Sequence, residues 1–404
     1  MRRSRILAAP LLSLLLAVTP ASAGQLIYGT AATGNSILGY CLRENGGLAP
    51  DPHVQKPTVN NPRRVIVAGD VLYVAGNTAV EALRIESDGR LTSLGKTPRT
   101  HNANPRDIAV DAQRRMLYMP HRIQERIVAY PLAEDGSIAD DFQSCVRADV
   151  LGGWEDVEVQ GDRLYASATT FRGEIDVYPI AADGSLPEPV LDPDDVDPDV
   201  GQPCDSSNNM ITTPLSQRTC LDGASAFVLQ DEMLYLIERF NFRLSAFRLQ
   251  PDGLFSPLVP IGDGGCGSLD QQARDSKTNE IVNFIDVIQF RGTVFASFFD
   301  GGRVHSFPLK DDSSDQPTRL PKKSKRKTNR DFSRTPVRMA AGEAADGQLT
   351  LYVSGGDNDR IEAYRLRQAK KGLLPRNKPF SRTTGIRQTF VNDVAIATAD
   401  AACN

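Results

Sequence analysis

Pro105-Arg106-Asp107-Ile108-Ala109-Val110-Asp111, then Met116-Leu117-Tyr118-Met119, then Ile127-Val128-Ala129-Tyr130-Pro131-Leu132, then Asp135-Gly136: three short apolar runs and a turn dipeptide, each run separated from the next by a polar break. Alternating apolar residues over four to eight positions read as strands. Asp107–Val110 is the first, Met116–Met119 the second, Ile127–Leu132 the third, and the stretch after Asp135-Gly136 the fourth. Asp-Gly supplies the positive φ that a tight hairpin between the third and fourth strands requires.

Moving outward in both directions, the same phrase returns. Leu72-Tyr73 precedes Asp88-Gly89, Leu164-Tyr165 precedes Asp183-Gly184, and Leu234-Tyr235 precedes Asp252-Gly253. Weaker copies stand at Ile27-Tyr28 with Gly46-Gly47, at Val294-Phe295 and at Leu351-Tyr352. That makes seven units, the first spacings being 45, 45 and 47 residues and the later ones 70, 60 and 57. Four strands per unit at this period are the mark of a β-propeller, so the fold class is all-β: seven four-stranded antiparallel blades. The longer spacings place insertions near 191–223, 261–282 and 311–333. The first unit lacks an inner strand, and Val391-Asn392-Asp393-Val394-Ala395-Ile396 near the other end matches the inner-strand phrase. The C-terminal strand is therefore expected to complete the first blade and close the ring, which removes exposed sheet edges.

Residues 1–23 read as an export signal: Arg2, Arg3 and Arg5, an apolar run from Ile6 to Val18, and Ala21-Ser22-Ala23 as a small-residue cleavage site. Residues 24–404 are then one propeller domain, secreted or periplasmic, with no later apolar run long enough to span a bilayer. Loss of the signal leaves 43 basic residues against 50 acidic ones, a net of −7, which argues against nucleic acid as a partner. A monomer is expected. Six cysteines in an exported chain point to disulfides. Cys41 and Cys403 fall in the first blade on the bottom face, where a bridge would lock the ring. Cys145, Cys204, Cys220 and Cys266 are placed in top-face connections. Cys204–Cys220 with Cys145–Cys266, and Cys145–Cys204 with Cys220–Cys266, both remain open.

The repeats resemble the secreted members of the seven-bladed lactonase-like propellers, the group of bacterial 6-phosphogluconolactonases and muconate-lactonizing propeller enzymes that shades into the YVTN-repeat surface proteins. The resemblance rests on Pro105–Met119, on the Asp-Gly hairpins and on the split first blade. For an enzymatic member it implies a histidine in the inner-strand phrase after Pro or Pro-Arg. Here Asp107 follows Pro105-Arg106, a departure from that pattern.

Aligned inner strands put Arg64, Asp107, Asp156, Ala226, Asp286 and Asp393 at one position. Four carboxylates at one channel mouth repel unless a cation, an arginine or protons intervene. Asp107, Asp156, Asp286 and Asp393 are thus candidate ligands of a divalent cation such as Ca²⁺; the alternative is that each bonds backbone amides and fixes a connection between blades. Around them, His101, Asp107, His121, Glu238 and Arg239 are candidate catalytic residues. Arg64, Trp154, Asp156 and Arg172 are candidate ligand-binding ones, the arginines for an anionic group and the tryptophan for stacking. The acidic stretch Asp192–Asp199 and the basic run Lys322–Lys327 read as solvated loops. The chain carries no Gly-rich phosphate loop, nucleophile elbow, zinc-type His/Cys cluster or haem-attachment motif.

Two functions fit these residues. One is a binding propeller whose loop-rich top face takes a small-molecule or protein ligand. The other is a lactonase-like hydrolase or isomerase acting on a small acidic lactone or sugar acid.

Overall fold

The computed structural model describes residues 24–98, 104–122, 126–147, 154–168, 174–187, 190–191, 210–211, 224–230, 232–238, 243–257, 271–272, 284–298, 303–309, 326–327, 336–355, 360–369, 372–376, 378–383, 391–398 and 403. All regular structure among them is strand, arranged as seven antiparallel blades around a channel. The third blade runs outward from the channel as Ala109–Asp111, Met116–His121, Arg126–Pro131 and Ser144–Arg147. Inner strands of the second, fourth, fifth, sixth and seventh blades are Arg64–Ala68, Trp154–Gln160, Ala224–Gln230, Phe284–Phe290 and Pro336–Glu343. In the fourth blade three strands are hydrogen-bonded together, and Val190–Leu191 pairs with Met210–Ile211 as a separate ribbon. The signal segment and nearly all of the three insertions lie outside the described residues. Of the basic run only Arg326–Lys327 is described, as a short outer strand of the sixth blade.

Ring closure is as the sequence reads. Val391–Thr398 is the inner strand of the first blade and pairs with Gln25–Ala31, with Ile27 opposite Ile396. A disulfide joins Cys41 to Cys403, Cα atoms 5.6 Å apart and 362 residues apart in sequence. Cys145 differs from its expected place. It lies within the outer strand Ser144–Arg147 of the third blade, 2 % exposed, rather than in a top-face connection. It too is disulfide-bonded, to a partner outside the described residues.

Apolar burial is concentrated at the seams between blades. One cluster joins Tyr118, Ile127 and Val146 of the third blade to Trp154, Val157, Leu164 and Tyr178 of the fourth; others do the same around the ring. The repeated phrase has its physical reason here. Five of the repeat's tyrosines on second strands donate their hydroxyls to the carbonyl of the Asp-Gly (or Gly-Gly) glycine in the next blade: Tyr28 to Gly89 at 2.8 Å, Tyr73 to Gly136 at 2.9 Å, Tyr118 to Gly184 at 2.9 Å, Tyr165 to Gly253 at 2.7 Å and Tyr352 to Gly46 at 3.0 Å. Those glycines have φ between 73° and 85°. A Cβ on Gly184 would also stand 2.2 Å from Cγ of Met116 in the preceding blade, so the residue is held to glycine by both conformation and contact.

Candidate functional site

The site begins with a β-bulge. In the fourth blade the inner strand slips register between Trp154, opposite Ala168, and Asp156, opposite Ser167. The fifth, sixth and seventh inner strands slip at the same end, where the chain enters from the top face. A bulge leaves one residue out of the ladder and re-aims its neighbours. Trp154 and Asp156, which would share a face in a regular strand, are parted: Trp154 packs edge-on to Tyr178 in the seam toward the third blade, and Asp156 reaches across to the fifth.

Four aspartates at the inner strands each fasten the next blade. Asp393 accepts the N–H of Val65 at 2.8 Å, Asp107 that of Val157 at 3.3 Å, Asp156 that of Phe227 at 2.8 Å and Asp286 that of Met339 at 2.8 Å. Two arginines compensate the charge. Nε of Arg64 lies 2.5 Å from Asp107 and its Nη1 3.5 Å from Asp393; Nη1 of Arg338 lies 3.0 Å from Asp286. Among the described residues no guanidinium lies within ion-pair distance of Asp156, and its carboxyl neighbours that of Asp107. Burial and the Asp107 charge raise the Asp156 carboxyl well above its ordinary range. Burial pushes Asp107 up as well, but Arg64, Asp156, Arg338 and the backbone N–H of Ile108 together outweigh it and that carboxyl sits low. Two residues below Asp156, Glu158 accepts the N–H of Leu229 at 2.8 Å; it retains some exposed surface, yet burial of its carboxyl pushes it up to about 8. Among the described residues no group of three or more His, Cys, Asp or Glu side chains is placed to hold a metal ion.

Above this ring, on the top face, lies a second charged group. Glu155, at the bulge and 6 % exposed, is bridged by Nη1 of Arg106 at 3.3 Å and Nη2 of Arg122 at 3.1 Å. Arg63, partly buried, faces both Arg122 and Glu155; burial and the Arg122 charge lower its guanidinium, and Glu155 only partly offsets them. Two guanidiniums thus pair with one carboxylate and a third lies near enough to feel its charge, a gathering of cations fitted to an anion. His121, buried at the end of its strand, lies beside Arg122 and receives a long hydrogen bond, 3.4 Å, from Nε of Arg126 at Nδ1.

Of the residues singled out in sequence, Arg64, Asp107, Asp156, Asp286 and Asp393 come together in the inner ring, and His121 lies with the arginine group. Glu238 is buried and accepts a hydrogen bond from Ser245 of its own blade. Trp154 is 1 % exposed in the core. His101, Arg172 and Arg239 lie outside the described residues. Sequence reading missed Arg63, Arg106 and Arg122, and passed over Glu155 as the group that joins them. Arg106 was visible in the quoted Pro-Arg-Asp phrase, but the bulge that brings Glu155 to it was not.

Fold and site define a class: a seven-bladed β-propeller with a carboxylate-centred arginine group on its top face, above a ring of inner-strand aspartates. Residues 25–154, the first three blades and the entry to the fourth, match the family described as "Lactonase, 7-bladed beta-propeller". Over nearly the whole chain the fold is similar to the periplasmic gluconolactonase of Pseudomonas aeruginosa, with a TM-score of 0.67 at 15 % identity, covering 94 % of this chain and all of the other. A protein from Lactobacillus plantarum is similar at 0.67 and 13 %, covering 93 % and 99 %, and a candidate 6-phosphogluconolactonase from Bacteroides fragilis at 0.67 and 16 %, covering 93 % and 98 %. No curated protein matches the sequence. The lactonase-like resemblance thus holds in fold around the entire ring and in sequence over its first part.

Proposed function

We propose that this chain is a lactonase-like hydrolase that opens a small acidic lactone on the top face of its second to fourth blades. The observation that carries the reading is the gathering of Arg63, Arg106 and Arg122 about Glu155. An anionic substituent of the substrate would be held by Arg63 and Arg122. A guanidinium N–H aimed at the lactone carbonyl oxygen would stabilise the negative charge that develops there. Water adds to the carbonyl carbon, the ring C–O bond breaks, the departing oxygen is protonated, and the hydroxy acid formed releases one proton at neutral pH. His121, whose Nδ1 accepts from Arg126 and whose proton therefore sits on Nε2, is the hydrogen-bond donor assigned to the departing oxygen, which takes its proton from the attacking water. The similar fold of a periplasmic gluconolactonase, the Cys41–Cys403 bridge and the signal-like residues 1–23 support action outside the cytoplasm, where disulfides persist.

The test is proton release by the purified protein on a panel of neutral and acidic lactones. Opening of an acidic lactone, reduced at least a hundredfold in Arg106→Gln and His121→Ala with folding intact, is the expected result. Failure of every lactone, with saturable binding of the hydroxy acids themselves, would overturn hydrolysis and make this face a ligand-binding one.

A further inference from the structure

At the opposite end of the ring, between the bottom hairpins of the second and third blades, lies a cavity of about 250 Å³. Its origin is a side chain that stops short. At four seams the residue two places before the repeat's tyrosine packs under the glycine of the next blade: Thr350 under Gly46, Val71 under Gly136, Met116 under Gly184 and Arg163 under Gly253. Met116 does so beneath Gly184 and Arg163 beneath Gly253, their Cγ atoms 2.2 and 2.8 Å from where a glycine Cβ would stand. In the second blade this residue is Val71, whose side chain ends at the Cγ that meets Gly136. The space that Met116 and Arg163 fill at their seams is left open here, over an apolar floor that includes Val71, Val110 and Leu132.

The rim carries both signs of charge. Arg84 and Asp135 are paired with each other, at 3.8 Å. Arg115, Asp70 and Glu134 also line the cavity, and none has an ion-pair partner within 4 Å among the described residues. Arg115 is held in a left-handed conformation, φ 54°, at its hairpin. Such a conformation is costly for a side chain this large, and strain of this kind gathers at ligand sites. An apolar floor between one unpaired cation and two unpaired carboxylates complements a ligand with an aliphatic body, a carboxylate and an ammonium. The volume is below that of drug-sized sites and suits a molecule of amino-acid size.

We infer that this cavity is a binding site for a free aliphatic α-amino acid. The carboxylate pairs with Arg115, the ammonium with Asp70 and Glu134, and the side chain lies on Val71, Val110 and Leu132. The site is remote from the arginine group on the top face and independent of any reaction there.

Calorimetry on the full chain tests it with L-norvaline, pentanoate and pentylamine as probes. Saturable binding of L-norvaline, at least tenfold tighter than either singly charged probe, is expected. It should be lost in Val71→Met, which copies Met116, and weakened at least tenfold in Arg115→Gln, with the thermal midpoint of each variant confirming that the ring is folded. Absence of L-norvaline binding, equal binding of pentylamine, or binding that survives both substitutions would each overturn the inference.

Discussion

The hydroxyl of Tyr118 donates to the carbonyl of Gly184 at 2.9 Å, across the seam between the third and fourth blades and 66 residues along the chain. Both partners are residues by which the repeat is recognised, and they belong to different copies of it. Tyr118→Phe removes the donor while keeping the ring that fills the seam, so it isolates the hydrogen bond. Leaving a buried carbonyl unpaired costs about 1–3 kcal/mol. Urea unfolding should show a loss of that size with an unchanged m-value; a loss below about 0.5 kcal/mol would mean that the bond is replaced by water.

The Cys41–Cys403 bridge closes a loop of nearly the entire chain after residue 23, with a separation of 362 residues. In the chain-entropy account a loop of this length stabilises by about 6 kcal/mol, and measured values for native bridges run about 2–5 kcal/mol. Cys41→Ser with Cys403→Ser should lower stability by that amount. Hydrogen exchange should rise first in Val391–Thr398 and Gln25–Ala31, the two strands the bridge secures. Uniform loss of protection around the ring would instead show that the blades unfold as one unit.

The architecture was open to sequence reading because its contacts are periodic: Tyr118 and Gly184 must both be present for one seam, and the requirement recurs at the next. Even the closing strand could be found, since Asp393 occupies its copy of the phrase. The site was less legible for one local reason. A bulge changes which face a residue meets without changing the residue, so Trp154 looked like a neighbour of Asp156 and Glu155 was left unassigned. In the structure Trp154 lies in the seam toward the third blade, and Asp156 bonds Phe227 in the fifth. The same irregularity, between Pro336 and Met339, kept Arg338 out of the aligned ring although it pairs with Asp286.

Arg64 is the joint of three blades, since it stands on the second and pairs with Asp107 of the third and Asp393 of the first. Replacing it by leucine strands two buried carboxylates, each 1 % exposed, in one step. Breaking a buried pair by removing one partner typically costs about 3–5 kcal/mol. Arg64→Leu should show a loss of that order. Asp107→Asn in the same background should recover part of it, because the amide retains an oxygen for the Val157 N–H without the charge. A double variant no more stable than Arg64→Leu alone would show that Asp107 is already neutral there.

Glu158 gives the ring a pH dependence of definite sign. Its carboxyl titrates near 4.5 when unfolded and at about 8 when folded, raised by burial against the opposing bond from Leu229. A group raised on folding contributes stability that is complete below the unfolded value and is lost as pH climbs through the folded one. Asp156, raised in the same direction by burial and by Asp107, adds to this. The thermal midpoint should therefore fall between about pH 5 and pH 8.5. Glu158→Gln keeps an oxygen for the Leu229 N–H and cannot ionise, so the variant should match the parent at pH 5 and exceed it at pH 8.5. Parallel profiles for the two proteins would mean that Glu158 reaches water through the channel and ionises freely.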